Sequence, residues 1–206
     1  MTMIVLFDNG HGITTDGKRS VDGRLREYAY ARKVVREVVK RLKARGVDAR
    51  VLVPEDADIP LGERANRVNA VCDRVGANRV CLVSVHLNAA GNGKQWMNAT
   101  GWEAWTTKGQ TQGDKLADCV YDAAESVLGG MFPGVLKIRT DMTDGDRDKE
   151  ENWTILYRSK CAAVLTENFF MDNRADVAWL ESDAGFDAIV KLHVDGVMAY
   201  IRKYGK

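Results

Sequence analysis

The chain has 206 residues, 45% of them apolar and 29% charged, with a formal net charge of +1. That length favours one domain around one sizeable core, and the near-neutral total gives no electrostatic pull toward nucleic acid or anionic lipid. No apolar run approaches the roughly 20 residues of a membrane helix, so neither membrane insertion nor nucleic-acid binding is expected.

Strands and helices alternate along the chain. Residues 3–8 read as a short buried strand. Over 26–45, apolar Ala31, Val34, Val35, Val38, Val39 and Leu42 recur with the spacing of one helix face, and Gly46 ends the helix. Residues 48–53 read as a strand closed by Pro54, and 61–75 as a helix followed by Gly76. The nearly all-apolar run 79–85 predicts a central strand covered on both faces. Residues 101–107 alternate as a fourth strand, 114–128 form a third amphipathic helix, 161–166 form another buried strand, and 183–203 form a long terminal helix. The pattern predicts an α/β fold: a single domain over residues 1–206, with a twisted, mostly parallel sheet and helices on both faces. Two stretches, 88–100 and 129–152, read as long loops. The acidic run 144–148 lacks the spacing of a calcium loop and reads as a solvated charged segment.

No basic stretch, apolar core and small-residue cleavage site precede the first strand, so no signal peptide is read. Synthesis in the cytoplasm followed by release, or a trimmed leader, both fit. Cys72, Cys81, Cys119 and Cys161 form no close pair in sequence and read as free thiols.

Only three histidines occur, and two follow apolar strands. His11 lies in "DNGHG", where Gly10 and Gly12 would permit a tight turn, and His86 lies in "VSVHLNA". Glu167 follows the fifth strand in "AVLTENFF", and Glu27 stands at the first turn of the helix after the His11 loop. In a parallel α/β sheet these positions converge outside the carboxyl ends of the strands. Two histidines and one carboxylate make a catalytic zinc set with a position left for water, and the second carboxylate is then free to act as a base. Each residue alone reads as structural, because a carboxylate in a first helical turn also complements the helix dipole. His193, inside the terminal helix, reads as structural.

The flanking residues resemble the zinc-dependent N-acetylmuramoyl-L-alanine amidases, the type 3 family of bacterial cell-wall hydrolases. "LFDNGHG", "REYAYARKV", "LGERANRVNAV", "LVSVHLNAAGN" and "AVLTENFFMDN" are similar to five family motifs in the family's order. The resemblance implies that His11, Glu27 and His86 ligate Zn²⁺ and that Glu167 is the catalytic base. It implies peptidoglycan as the substrate, cut between N-acetylmuramic acid and L-alanine by a monomer. A zinc peptidase acting on stem peptides, or a non-catalytic wall-binding relative, are the alternatives. Arg64 and Asn69 read as structural support, and Asn88 as either a loop anchor or a substrate contact. Trp96, Trp102 and Trp105 are candidates for stacking on substrate, although the odd spacing of Trp102 and Trp105 sends one of them toward the core. The chain departs from the family at Ile13, Tyr28, Val53-Pro54 and Phe169, the last standing where the family has glycine. No amphipathic insertion is evident that would cover the site, so an open site is expected.

Overall fold

The structure, a computed structural model, describes residues 3–132 and 137–205. Thirteen elements follow one another: β1 (Ile4–Asn9), α1 (Glu27–Lys43), β2 (Asp48–Val51), α2 (Leu61–Val75), a 3₁₀ turn (Ala77–Arg79), β3 (Val80–Asn88), β4 (Trp102–Thr106), α3 (Gln112–Met131), β5 (Lys149–Glu150), α4 (Thr154–Tyr157), β6 (Ala162–Phe170), α5 (Arg174–Leu180) and α6 (Asp183–Tyr204). The strands form one sheet in the order β2-β1-β3-β6-β4-β5. Every neighbouring pair is parallel except β4 against β6.

The expected architecture is therefore present, and the helix boundaries follow local chemistry. All six apolar positions of the α1 stripe are buried. Gly46 and Gly76 adopt φ of 78° and 95° just past α1 and α2, a conformation that carries no side-chain penalty in glycine. Helix α3 starts two residues earlier than expected because Thr111 and Asp114 close a capping box. Strand β5, one-turn α4 and seven-residue α5 were not predicted, since none is long enough to display a period.

Each face of the sheet has its own core. Helices α1, α3 and α6 seal one face over Val5, Phe7, Val83, Val85 and Val164. On the other, α2 and α4 cover Ile4, Leu6, Leu82, Ala163 and Leu165. His193 is fully buried, bonded to Thr166 Oγ1 (2.9 Å) and to the Ile189 carbonyl (2.7 Å), and ties α6 to the sheet. Cys72, Cys81 and Cys119 are buried free thiols, and Cys161 is a half-buried one.

Part of the expected loop 129–152, residues 133–136, lies outside the described residues. The acidic run is not the solvated segment expected. Arg147 pairs with Asp118, Asp122 and Glu125, all on α3, while buried Asp148 accepts from the Thr106 hydroxyl at 2.6 Å. Arg147 is drawn against α3, and Asp148 turns inward to β4. Among the described residues, no helix is long and apolar enough to cross a membrane.

Candidate metal centre

His86 and Glu167 are not beyond their strands, as the sequence suggested, but inside them. Strand β3 runs to residue 88 and β6 to residue 170, and the register places His86 directly opposite Glu167. Apolar residues alone gave the expected strand ends, whereas the ladder continues through alternating polar positions. Glu103 on β4 lies opposite Glu167 in turn, so His86, Glu167 and Glu103 form one row across three strands.

His11 enters from the turn after β1. Its own backbone is left-handed (φ 59°), an uncommon conformation for a residue with a side chain. The flanking glycines serve close approach instead of supplying that turn. A Cβ on Gly10 would sit 2.3 Å from His86 Cε1, and one on Gly12 would sit 2.1 Å from the Asp58 nitrogen. Two buried arginines hold the turn. Arg32 and Arg64 both donate to the His11 carbonyl at 3.1 Å, and Arg64 also donates to the Asn9 carbonyl (2.7 Å) and to Asp8 Oδ1 (2.8 Å). Glu27, fully buried at the start of α1, accepts the Leu87 N–H on Oε1 at 3.0 Å.

That same Oε1 lies 3.4 Å from His11 Nε2 and 3.1 Å from His86 Nδ1, and the three donor atoms all lie within 4.8 Å of one another. The hydrogen bonds around His86 fix what its ring can offer. Ser84 gives its hydroxyl proton to Asp8 Oδ2 (2.5 Å), so its oxygen accepts from His86 Nε2 at 3.1 Å. Nδ1 is then the ring atom that faces Glu27 Oε1, and in the neutral ring it is the one left with a lone pair. Burial pushes His11 down to about 4, so this ring is neutral near pH 7. At His86 burial acts downward, but the hydrogen bond and charge of Glu27 outweigh it and the net direction is up. Glu27 Oε2 is buried with no hydrogen-bond partner among the described residues.

Two ring nitrogens converging on one buried carboxylate oxygen call for a proton or a cation between them. The residues fit zinc. Two neutral imidazoles and a carboxylate are its ordinary ligands, and a tetrahedron with bonds of about 2.0–2.1 Å has edges of about 3.3 Å, close to the two measured separations. Glu167 stands apart from the three. Burial pushes its carboxyl up to about 8, against the opposing effect of His86, and its Oε2 has no partner among the described residues. A cleft of about 360 Å³, lined by Asp8, His11, Asp58, Ile59, Pro60, Leu61, Arg64 and His86, opens onto the histidines. Among the described residues, neither long loop contributes to its lining.

Sequence reading passed over Arg32, Ser84, Asp8 and Glu103. Ser84 and Glu103 were legible as polar members of alternating strands, and Asp8 as part of "DNGHG"; buried Arg32, on the apolar side of α1, carries no local signal. Asn88 is an anchor, donating to Glu103 Oε1 at 2.9 Å. Asn69 bonds to the backbone of Arg158 and Lys160, which it ties to α2. The tryptophans are packed: Trp102 is fully buried and donates to Asn168 (2.9 Å), Trp105 lies 4.7 Å from Trp153, and Trp96 lies half-buried against Arg174. Trp102 is thereby removed from the stacking candidates.

A family model described as N-acetylmuramoyl-L-alanine amidase matches residues 5–199. The endolysin of Bacillus phage SPP1 is 27% identical over 201 residues, which cover 96% of this chain and 65% of that protein, so the chain spans about 65% of the length of this curated relative. The crystal structure of an N-acetylmuramoyl-L-alanine amidase from Clostridium difficile 630 superposes with a TM-score of 0.78 at 26% identity, covering 98% of this chain and 97% of the other. The catalytic domain of an amidase from Paenibacillus polymyxa shares the fold, with a TM-score of 0.77 at 18% identity and coverage of 98% and 99%.

Proposed function

The chain belongs to the N-acetylmuramoyl-L-alanine amidase family, and on that premise we propose that it hydrolyses, with zinc, the amide joining N-acetylmuramic acid to L-alanine in peptidoglycan. The observation that carries the zinc dependence is the meeting of His11 Nε2, His86 Nδ1 and Glu27 Oε1 in one buried site.

His11, Glu27 and His86 would hold the ion. Bound there, Zn²⁺ supplies Lewis acidity, acidifying water and polarising the scissile carbonyl. Ser84 and Asp8 keep His86 in the tautomer that presents Nδ1, and Arg32 and Arg64 hold the strained His11 turn in place. Glu167, one strand away from His86, takes the proton of the attacking water and returns it to the departing alanine nitrogen. A carboxyl raised toward neutrality suits both halves of that transfer. The phage endolysin relative supports action at the cell wall after release from the cytoplasm.

Digestion of purified peptidoglycan, with and without a chelator, tests the reading by mass analysis of the fragments. A free muramyl carboxyl with a new N-terminal alanine, lost on chelation and restored by zinc, is the expected result. New amines at any other residue would indicate a peptidase, and full activity after thorough chelation would remove the metal.

A further inference from the structure

Glu103 carries the site one strand beyond Glu167. It is 2% exposed and is surrounded by four donors: Arg139 Nε (2.6 Å), Lys149 Nζ (2.8 Å), Asn88 Nδ2 (2.9 Å) and Trp105 Nε1 (3.0 Å). Two cations on one carboxylate leave a surplus positive charge beside the catalytic row. Arg139 is fixed from several sides. Its Nε is committed to Glu103, its guanidinium carbon lies 5.2 Å from the centre of the Phe170 ring, and its backbone bonds to Trp102 and to the Tyr121 hydroxyl. Its side chain is nevertheless 41% exposed, and its two terminal nitrogens have no acceptor among the described residues. Lys149 is held over Trp105 at 5.2 Å.

We propose that Arg139, braced by Glu103 and assisted by Lys149, binds a carboxylate carried by the second residue of the peptide leaving group. The inference rests on the amidase reading and adds a specificity determinant to it. Reach supports it. Adjacent strands lie about 4.8 Å apart, so two steps from β3 through β6 to β4 put Glu103 about 10 Å from His86. An extended peptide advances about 3.3–3.6 Å per residue. With the scissile amide at His86, the second residue ends about 7 Å along, and its carboxylate covers the remainder. A guanidinium with Nε already committed still presents its two terminal amino groups, which suit a carboxylate. Bracing by a buried partner also lowers the ordering cost of binding.

Two synthetic muramyl peptides test this, one with a free carboxylate on the second residue and the other with the corresponding carboxamide. The full chain is expected to favour the carboxylate in kcat/KM by about tenfold to a hundredfold, the range of a charge-assisted hydrogen-bonded pair. Arg139→Gln should bring that ratio close to one through loss on the acidic substrate, and Arg139→Lys should retain part of it. Zinc content of each variant checks that the site is intact. A ratio near one in the unmodified chain, or one that Arg139→Gln leaves unchanged, overturns the inference while the amidase reading stands. Calorimetric binding of the free acidic peptide separates the two readings. Arg139-dependent binding by a chain that cleaves neither substrate keeps the carboxylate site and ends the amidase reading, whereas the absence of both overturns both.

Discussion

The two faces of the sheet are built from alternate residues of the same strands, yet one is a sealed core and the other ends in a site. On β3, Val83, Val85 and Leu87 lie within the core beneath α1, α3 and α6, while Ser84, His86 and Asn88 point the opposite way. On β6, Thr166 points toward His193 of α6, while Glu167 joins His86 and Glu103 on the second face. The second layer covers Leu82, Ala163 and Leu165 but leaves a cleft at the carboxyl ends of the strands. Incomplete cover is thus the structural origin of the proposed chemistry. The face that is fully packed sets stability, and the one left partly open carries polar groups that packing alone does not explain.

Substitutions on the open face should abolish function without unfolding the chain. The largest effect is expected for His86→Ala, which removes one of the three proposed ligands and should eliminate both stoichiometric zinc and turnover. Glu167→Gln should retain zinc and lose about 10²–10⁴-fold in turnover, the usual contribution of a positioned general base. Elemental analysis beside the rate distinguishes the two variants. Full turnover in Glu167→Gln, or stoichiometric zinc in His86→Ala, would remove the residue concerned from its assignment. A smaller effect is expected for Gly10→Ala, whose new Cβ collides with the His86 ring. Displacing that ring should weaken zinc binding by about 10–100-fold, as loss of outer support for a ligand does, and a competition titration against a chelator of known affinity would read it.

The sealed face should respond in the opposite manner. Leu42 is fully buried on the inner side of α1. Leu42→Ala should lower unfolding free energy by about 2–5 kcal/mol, read as a shift in denaturant midpoint, with zinc content and turnover per folded molecule unchanged. Loss of zinc in that variant would mean that the two faces are coupled more tightly than their separate cores suggest.

Most of the sealed face was legible in the sequence, because continuous apolar runs and the α1 stripe are direct signals of burial. The candidate site was legible as residue types near strand ends, but its geometry was not. Apolar composition marks a strand only while both faces are covered. Once one face opens, the signal becomes alternation, as in Ser84-Val85-His86-Leu87-Asn88, and the run of apolar letters ends before the strand does. The groups that orient the proposed ligands come from far along the chain. Arg64 is 53 positions from His11, and Asp8 is 76 positions from Ser84. No local pattern encodes such pairs, which the strand order brings together.

Phe169 belongs to the core of the sealed face, two residues past Glu167, and gives the smallest effect. It follows the Glu167 row at a break in the β3–β6 register, with φ of 67°. Glycine takes that conformation freely, whereas a side chain costs about 1–2 kcal/mol there, which gives a physical reason for the glycine in the similar family motif. Here the ring is buried to 1% exposure and packs on Trp179 at 4.6 Å and on Phe132 at 6.2 Å. Removing a buried phenylalanine side chain costs about 3–5 kcal/mol, so the packing more than offsets the backbone strain. Phe169→Gly should therefore still destabilise the protein, by about 2 kcal/mol after the strain is released. Phe169→Ala loses nearly the same packing and keeps the strain, so the alanine variant should be less stable than the glycine variant by about 1 kcal/mol. Within a strand the usual order is the reverse, because glycine carries the greater entropy cost. Denaturant midpoints of the two variants decide the matter: an alanine variant as stable as the glycine one would show that the left-handed backbone at Phe169 stores no strain.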